Sequence, residues 1–301
     1  MQELRMATQR YFRPWYFIFP GAMLGLITLG YPIVQAIYHS FHAVTMRRLG
    51  DGVFVGMDNF VQLFGDHLFL RSIMATISFT LGSTVLAVAF GLFIASVMSS
   101  QGIRGTALAR FFMAFFLVPF VTTQVVTGIL GRLYVWQSSY GLVNFLLETI
   151  GLERVRWLTS MDHAMTATVV TNGWRMAPLA LLIFYAALAT IPDEIVESAE
   201  VDGASFLTLW FRIKYPMIRF HLGFVSLIIL TSAFREFDVI YGLTGGGPGR
   251  STEVLSILVY RLGVTQGNMG MANAVSVTML VIVSVITIAA VKIGKLGAMS
   301  E

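Results

Sequence analysis

The 301-residue sequence contains no cysteine, which excludes disulfides, thiolate metal sites and cysteine nucleophiles together. Lysine is nearly as scarce. The three lysines are Lys214, Lys292 and Lys295, and none is followed by serine or threonine, so the chain holds no G-x4-G-K-[ST] phosphate-binding loop. Charged residues make up only 12% of the chain, about half the usual share of a soluble domain. The net charge of +4 comes from arginines scattered along the chain, without the clustered basic stripe that nucleic-acid binding requires. Five histidines include one close pair, His39 and His42, with no acidic residue beside it, which argues against a metal site. No Pro/Ser-rich linker or low-complexity tract marks off a second domain, so 1–301 reads as a single domain.

What is abundant is apolar: 56% of the residues are hydrophobic. A bilayer core of about 30 Å needs roughly 20 mostly apolar residues per helix. Six runs qualify, approximately Trp15 to Tyr38, Ser72 to Met98, Phe111 to Trp136, Ala164 to Thr190, Phe220 to Phe234 and Met271 to Val291. The fifth is the shortest, because Arg235, Glu236 and Asp238 end it. Core helices of a soluble all-helical protein explain one such run but not six. The first run is too long for a signal-peptide core of about 7–15 residues and no A-x-A cleavage site follows, so it is expected to remain as an anchor. The fold class is therefore all-α, a polytopic membrane protein with six spans. Basic residues are denser on the side that collects Arg5, Arg10, Arg13, Arg104, Arg110, Arg212, Lys214, Arg219, Lys292 and Lys295. That side is assigned as cytoplasmic, with both termini on it.

On this assignment the longest cytoplasmic segment is 191–219, between spans four and five. Pro192 followed by Asp193 and Glu194 starts a short helix. Along it Ile195, Ala199 and Gly203 form a stripe at four-residue spacing, with Glu194, Glu197 and Glu200 beside it. Gly203 lets the chain turn, and a second apolar segment, Phe206 to Tyr215, leads into Pro216. The expectation is a helix–turn–helix at the membrane surface that needs a partner with a cleft. The alternative is an amphipathic helix lying on lipid. Its acidic face argues against that, since anionic cytoplasmic lipid attracts basic segments.

Glu197-Ser198-Ala199, three residues, Gly203, nine residues, Ile213, one residue, then Tyr215-Pro216 resembles the E-A-A-x3-G-x9-I-x-L-P signature of ABC importer permeases. Ser198 and Tyr215 depart from it but keep a small and an apolar side chain. Phe54-Val55-Gly56-Met57-Asp58-Asn59-Phe60, Phe237-Asp238-Val239-Ile240-Tyr241, and Leu243-Thr244-Gly245-Gly246-Gly247-Pro248 with Ser251-Thr252 resemble the carbohydrate-uptake branch, of the maltose and glycerol-phosphate type. The resemblance implies a membrane-spanning subunit of an ATP-driven, binding-protein-dependent importer of a sugar or related polyhydroxylated solute, in a bacterial or archaeal cytoplasmic membrane. It implies two ATP-binding subunits that carry ATP and Mg, a second homologous permease subunit, an extracytoplasmic solute-binding protein and surrounding membrane lipid. It further implies that this chain binds no cofactor and is not an enzyme. The 191–219 loop would hold the coupling helix, with Glu197, Ser198, Ala199, Asp202, Gly203, Ile213 and Pro216 as its functional residues. Glu197 would pair with a basic group of the ATPase.

Ionisable residues in or at the edge of a span are functional suspects, because burying them in lipid is costly. Asn172, Arg175, Met176 and Leu179 share one face of span four, and Ile229, Ala233 and Glu236 share a face of span five. By distance from the loop signature these faces resemble the sugar path of maltose-type permeases. The alternative is that Arg175 snorkels to the outer interface and that Arg235 and Glu236 merely flank the span. A self-contained secondary carrier or channel is the rival from another class. Carriers tend to show inverted repeats or broken helices, no clear repeat relates the two halves here, and no paired carboxylates fall within a span.

Overall fold

The computed structural model describes residues 17–100 and 102–298; Arg5, Arg10, Arg13 and Trp15 lie outside the described residues. In chain order, helix α1 (Phe17–Ser40) is followed by strands β1 (His42–Thr45) and β2 (Arg48–Phe54), the short α2 (Asp58–Gly65) and the long α3 (His67–Met98). Next come α4 (Ala107–Val121), α5 (Gln124–Val135), α6 (Leu142–Thr149) and α7 (Met161–Ala189). The chain continues with α8 (Asp193–Val201), α9 (Phe206–Phe234), α10 (Asp238–Leu243), α11 (Leu255–Thr265) and α12 (Met269–Ala298).

Among the described residues five helices, α1, α3, α7, α9 and α12, are long and apolar enough to cross a membrane. The third expected span is not one straight helix. It is the pair α4 and α5, bent by 98° at their junction. Pro119 removes an amide donor from the last turn of α4, and Thr122 and Thr123 then take extended backbone, with ψ of 137° and 141°. The fifth span is longer than expected: α9 begins at Phe206, not Phe220, so the second limb of the 191–219 loop is the start of the membrane helix. Pro216 lies inside α9, directly after a π turn at Trp210–Lys214 in which the Tyr215 amide bonds to the Trp210 carbonyl. Similar five-residue π turns occur at Leu26–Gly30, Gly131–Val135 and Arg261–Thr265.

The chain forms two compact units. Among the described residues, one comprises 17–66 together with Val259–Thr278. The mostly helical fold carries one addition here that the sequence reading did not anticipate, an antiparallel hairpin in which β1 and β2 pair His42 with Phe54, Ala43 with Val53 and Thr45 with Arg48. Alternation explains it: His42 and Val44 are buried while Ala43 and Thr45 are exposed, a period of two too short to register in a search for long apolar runs. Asn59 on α2 fastens the hairpin by donating to the carbonyls of Ser40 at 2.8 Å and His42 at 3.1 Å. Met46 N–H donates to the Gly267 carbonyl at 2.8 Å in the turn before α12.

The other unit runs from His67 to Leu258 and takes in 279–298. Its centre is α7, whose most apolar stretch is two-thirds buried. Small residues let α3 lie against α7: a Cβ on Gly91 would stand 2.5 Å from Ala180 Cβ, and one on Gly173 would stand 2.6 Å from Leu86 Cδ2. Without a strong hydrophobic drive between helices in lipid, such close backbone approach supplies the dispersion contact that holds them. Ala87, Ile94, Met176, Phe184, Leu188, Ile218 and Ile229 fill the core between α3, α7 and α9.

A close backbone contact outside that core joins α5 to α10. A Cβ on Gly128 would meet the Val239 carbonyl at 2.5 Å, and one on Gly242 would meet the Val125 carbonyl at 2.7 Å. Gly128→Ala should therefore lower stability by about 1–3 kcal/mol through overpacking, read as a lower thermal midpoint in detergent. Gly223→Ala, whose added Cβ meets nothing within 4 Å, is the control and should be neutral or slightly stabilising.

Candidate functional site

The 191–219 segment is built from its capping residues. Pro192 in extended conformation precedes α8, and Asp193 and Glu194 occupy the first turn, where the helix dipole favours negative charge. At the other end the Ala204 N–H donates to the Ala199 carbonyl at 2.9 Å and the Gly203 N–H to the Glu200 carbonyl at 3.0 Å. This nested pair is a Schellman motif with Gly203 at the left-handed position, φ +78°. An added Cβ at Gly203 meets nothing within 4 Å, so the dihedral alone calls for glycine.

Val196 is the buried residue of α8 and shares one core cluster with Leu188, Ile191 and Leu209, against which Ala199, Ala204, Trp210 and Ile213 pack. The small-residue stripe expected from the sequence is thus divided: Ala199 turns half inward, whereas Ile195 and Gly203 are exposed. Glu197, Ser198 and Asp202 are exposed, and so is Pro216 on α9. Val201 is 87% exposed and Phe206 71%, an apolar pair flanking the turn; the sequence reading began its second apolar segment at Phe206 but did not single out Val201. Arg104, from the segment between α3 and α4, donates to Asp193 at 2.8 Å and to the Ala189 carbonyl at 3.2 Å.

The second group lies where α7 meets the end of α9. Arg175 Nη2 donates to Glu236 Oε2 at 2.8 Å and to Asn172 Oδ1 at 3.1 Å, and the two charged side chains are each 4% exposed. Glu236 Oε1 accepts the Val239 N–H at 3.1 Å, while the Glu236 carbonyl accepts Ser256 Oγ at 2.6 Å. Arg175 therefore meets a countercharge inside the unit, and neither it nor Glu236 is at an exposed edge. Removing one partner of such a buried pair typically costs about 3–5 kcal/mol. Arg175 Nε and Asn172 Nδ2 have no acceptor among the described residues. Met176, Ile229 and Ala233 are buried and Leu179 is half-buried, so the two expected faces do meet across the α7–α9 contact.

Residues 87–295 match the family described as binding-protein-dependent transport system inner membrane component. The chain belongs to this family. As an inner membrane component it is a transport subunit rather than an enzyme, in a family whose ATPase is a separate subunit. It is 30% identical over 295 residues to the probable ABC transporter permease protein YurN of Bacillus subtilis, covering 97% of this chain and 99% of that protein. It is 31% identical over 279 residues to the trehalose/maltose transport system permease protein MalF of Thermococcus litoralis, covering 92% of each. Its fold matches a chain of a bacterial ABC transporter involved in the import of the acidic polysaccharide alginate, with TM-score 0.78, 24% identity and coverage of 97% of this chain and 98% of that one.

Since strain and not crowding governs Gly203, the order of tolerance in this inner membrane component should follow left-handed propensity. Gly203→Asn should keep most of the membrane-inserted, assembled protein, and Gly203→Val should lose most of it, as measured by detergent-extracted yield at equal expression. Equal yields would remove the dihedral argument.

Proposed function

We propose that the chain is the membrane-spanning subunit of an ATP-driven importer for a sugar or related polyhydroxylated solute. The observation that carries this reading is near-full-length similarity to a trehalose/maltose permease and, at 30% identity over 278 residues, to the sn-glycerol-3-phosphate permease UgpA of Escherichia coli. The chain acts as one permease domain beside a second homologous permease. Two ATP-binding subunits hold ATP and Mg, and an extracytoplasmic binding protein delivers the solute. Both termini and the 191–219 loop face the cytoplasm.

In this reading α8 is the coupling helix. Glu197, Ser198 and Asp202 face an ATPase groove, Val201 and Phe206 add apolar contact, and Ala199, Gly203, Ile213 and Pro216 shape the turn and its junction with α9. A rigid, exposed and acidic helix fastened to the core through Val196 supports that role, because force on it reaches α7 and α9 through packed side chains. The solute path runs along Asn172, Met176, Leu179, Ile229 and Ala233, with Arg175 and Glu236 at one end, where each takes the other as its partner. Transport is then a population shift: ATP and the loaded binding protein favour the outward-facing arrangement, and hydrolysis returns the inward-facing one.

Proteoliposomes holding this chain, its companion permease, the ATPase subunits and the binding protein should accumulate solute only with ATP. Uptake by this chain alone would favour a self-contained carrier. Glu197→Arg should leave insertion intact, since the side chain is exposed, but should reduce co-purification of the ATPase subunits and coupled uptake at least about tenfold. Asn172→Ala should change the uptake ratio of solutes differing by one hydroxyl by about two- to tenfold, the worth of one hydrogen bond, without altering binding-protein affinity.

A further inference from the structure

We infer that Arg175 and Glu236 form a permanent joint, which makes the middle of α7, the end of α9 and α10 move as one body through the transport cycle. The inference rests on the importer reading above. Glu236 spends each of its acceptor groups on a different element: one carboxylate oxygen on α7 through Arg175, the other on the first turn of α10 through Val239 N–H, and its carbonyl on Ser256 of α11. Asn172 steadies the same guanidinium from one turn earlier on α7. The body extends to α5 on both sides of the pair. Trp136 Nε1, just beyond α5, donates to Thr171 Oγ1 on α7 at 2.7 Å, and Gly128 of α5 touches Gly242 of α10 backbone to backbone.

Two side chains each 4% exposed have no water to receive them if they part. Separating them would leave an uncompensated charge on both sides, a cost larger than the differential binding that usually drives a two-state transition. The alternating motion must therefore occur elsewhere, and Arg175 acts as a positioning residue for α10 rather than as a gate.

The test uses the absence of native cysteine. Trp174 on α7 and Tyr241 on α10 are each 44% exposed and lie outside the ion pair. A Trp174→Cys/Tyr241→Cys chain, spin-labelled and assembled in the full importer complex, is measured by pulsed dipolar spectroscopy without nucleotide and with ATP trapped. The expected result is the same label separation in both states, in a complex that hydrolyses ATP and takes up solute. A change of about 5 Å, the size of a one-turn slip, would overturn the joint. A complete complex without ATP-dependent uptake would instead count against the importer reading. A second measurement separates packing from charge. Arg175→Met and Glu236→Leu alone should each lower uptake at least about tenfold, whereas the double variant, which strands no charge, should recover at least about a third of it. A double variant that assembles but transports no better than the single ones would assign the charges to gating or solute contact, contrary to the joint.

Discussion

The guanidinium of Arg175 lies well inside α7, where burial leaves it no solvent, and much of the surrounding architecture is arranged around its neutralisation. Its carboxylate partner comes from 61 residues further along the chain, two residues beyond the end of α9. For that carboxylate to reach back, α9 must stop where it does and α10 must start immediately afterward, with Glu236 closing its first turn. Once α10 is held in this way, Gly242 presents a bare backbone to Gly128, and α5 can lie on it only because it departs from α4 by 98°. A charge, two glycines and a helix break thus form one connected arrangement in which no part is free to change alone.

The loop at 191–219 obeys different physics. Its ion pair, Arg104 with Asp193, is exposed on both sides and contributes at most about 1 kcal/mol. What holds α8 in place is apolar: Val196 reaches into the core, and Ala199 and Ile213 pack at its edge. The polar face is left outside. Strength is thus concentrated beneath α8 and chemistry is displayed on top, the arrangement that the proposed coupling role requires.

Long apolar runs were legible in the sequence because they report composition, and composition decides what can sit in lipid. Five of the six expected runs coincide with helices long enough to cross. The bend after Val121 was not legible, since Pro119 and two threonines do not lower hydropathy even though they redirect the chain. The extent of α9 was hidden for the opposite reason: Arg212, Lys214 and Arg219 read as loop, yet they sit on uninterrupted helix. Glycine at 203 was legible because a turn there has a local requirement, visible in the neighbouring residues. The partner of Arg175 was not, because nothing local to position 175 points to position 236. Both residues were singled out by their cost in lipid, each on its own face, and only the three-dimensional path joined them.

The π turns carry a consequence for how the helices tolerate change. Each holds one residue more than an α turn, so side chains beyond it are rotated by about 100° from where a 3.6-residue count would put them. Deleting a single residue from Trp210–Lys214 can be absorbed by conversion to an ordinary α turn, and the rest of α9 keeps its phase against α7. The same deletion around Arg175 would have no such slack and would rotate the guanidinium away from its carboxylate. Length variation among related chains should therefore collect at the wide turns and be purged from the middle of α7, so that the fold has built-in places where its helices can be spliced.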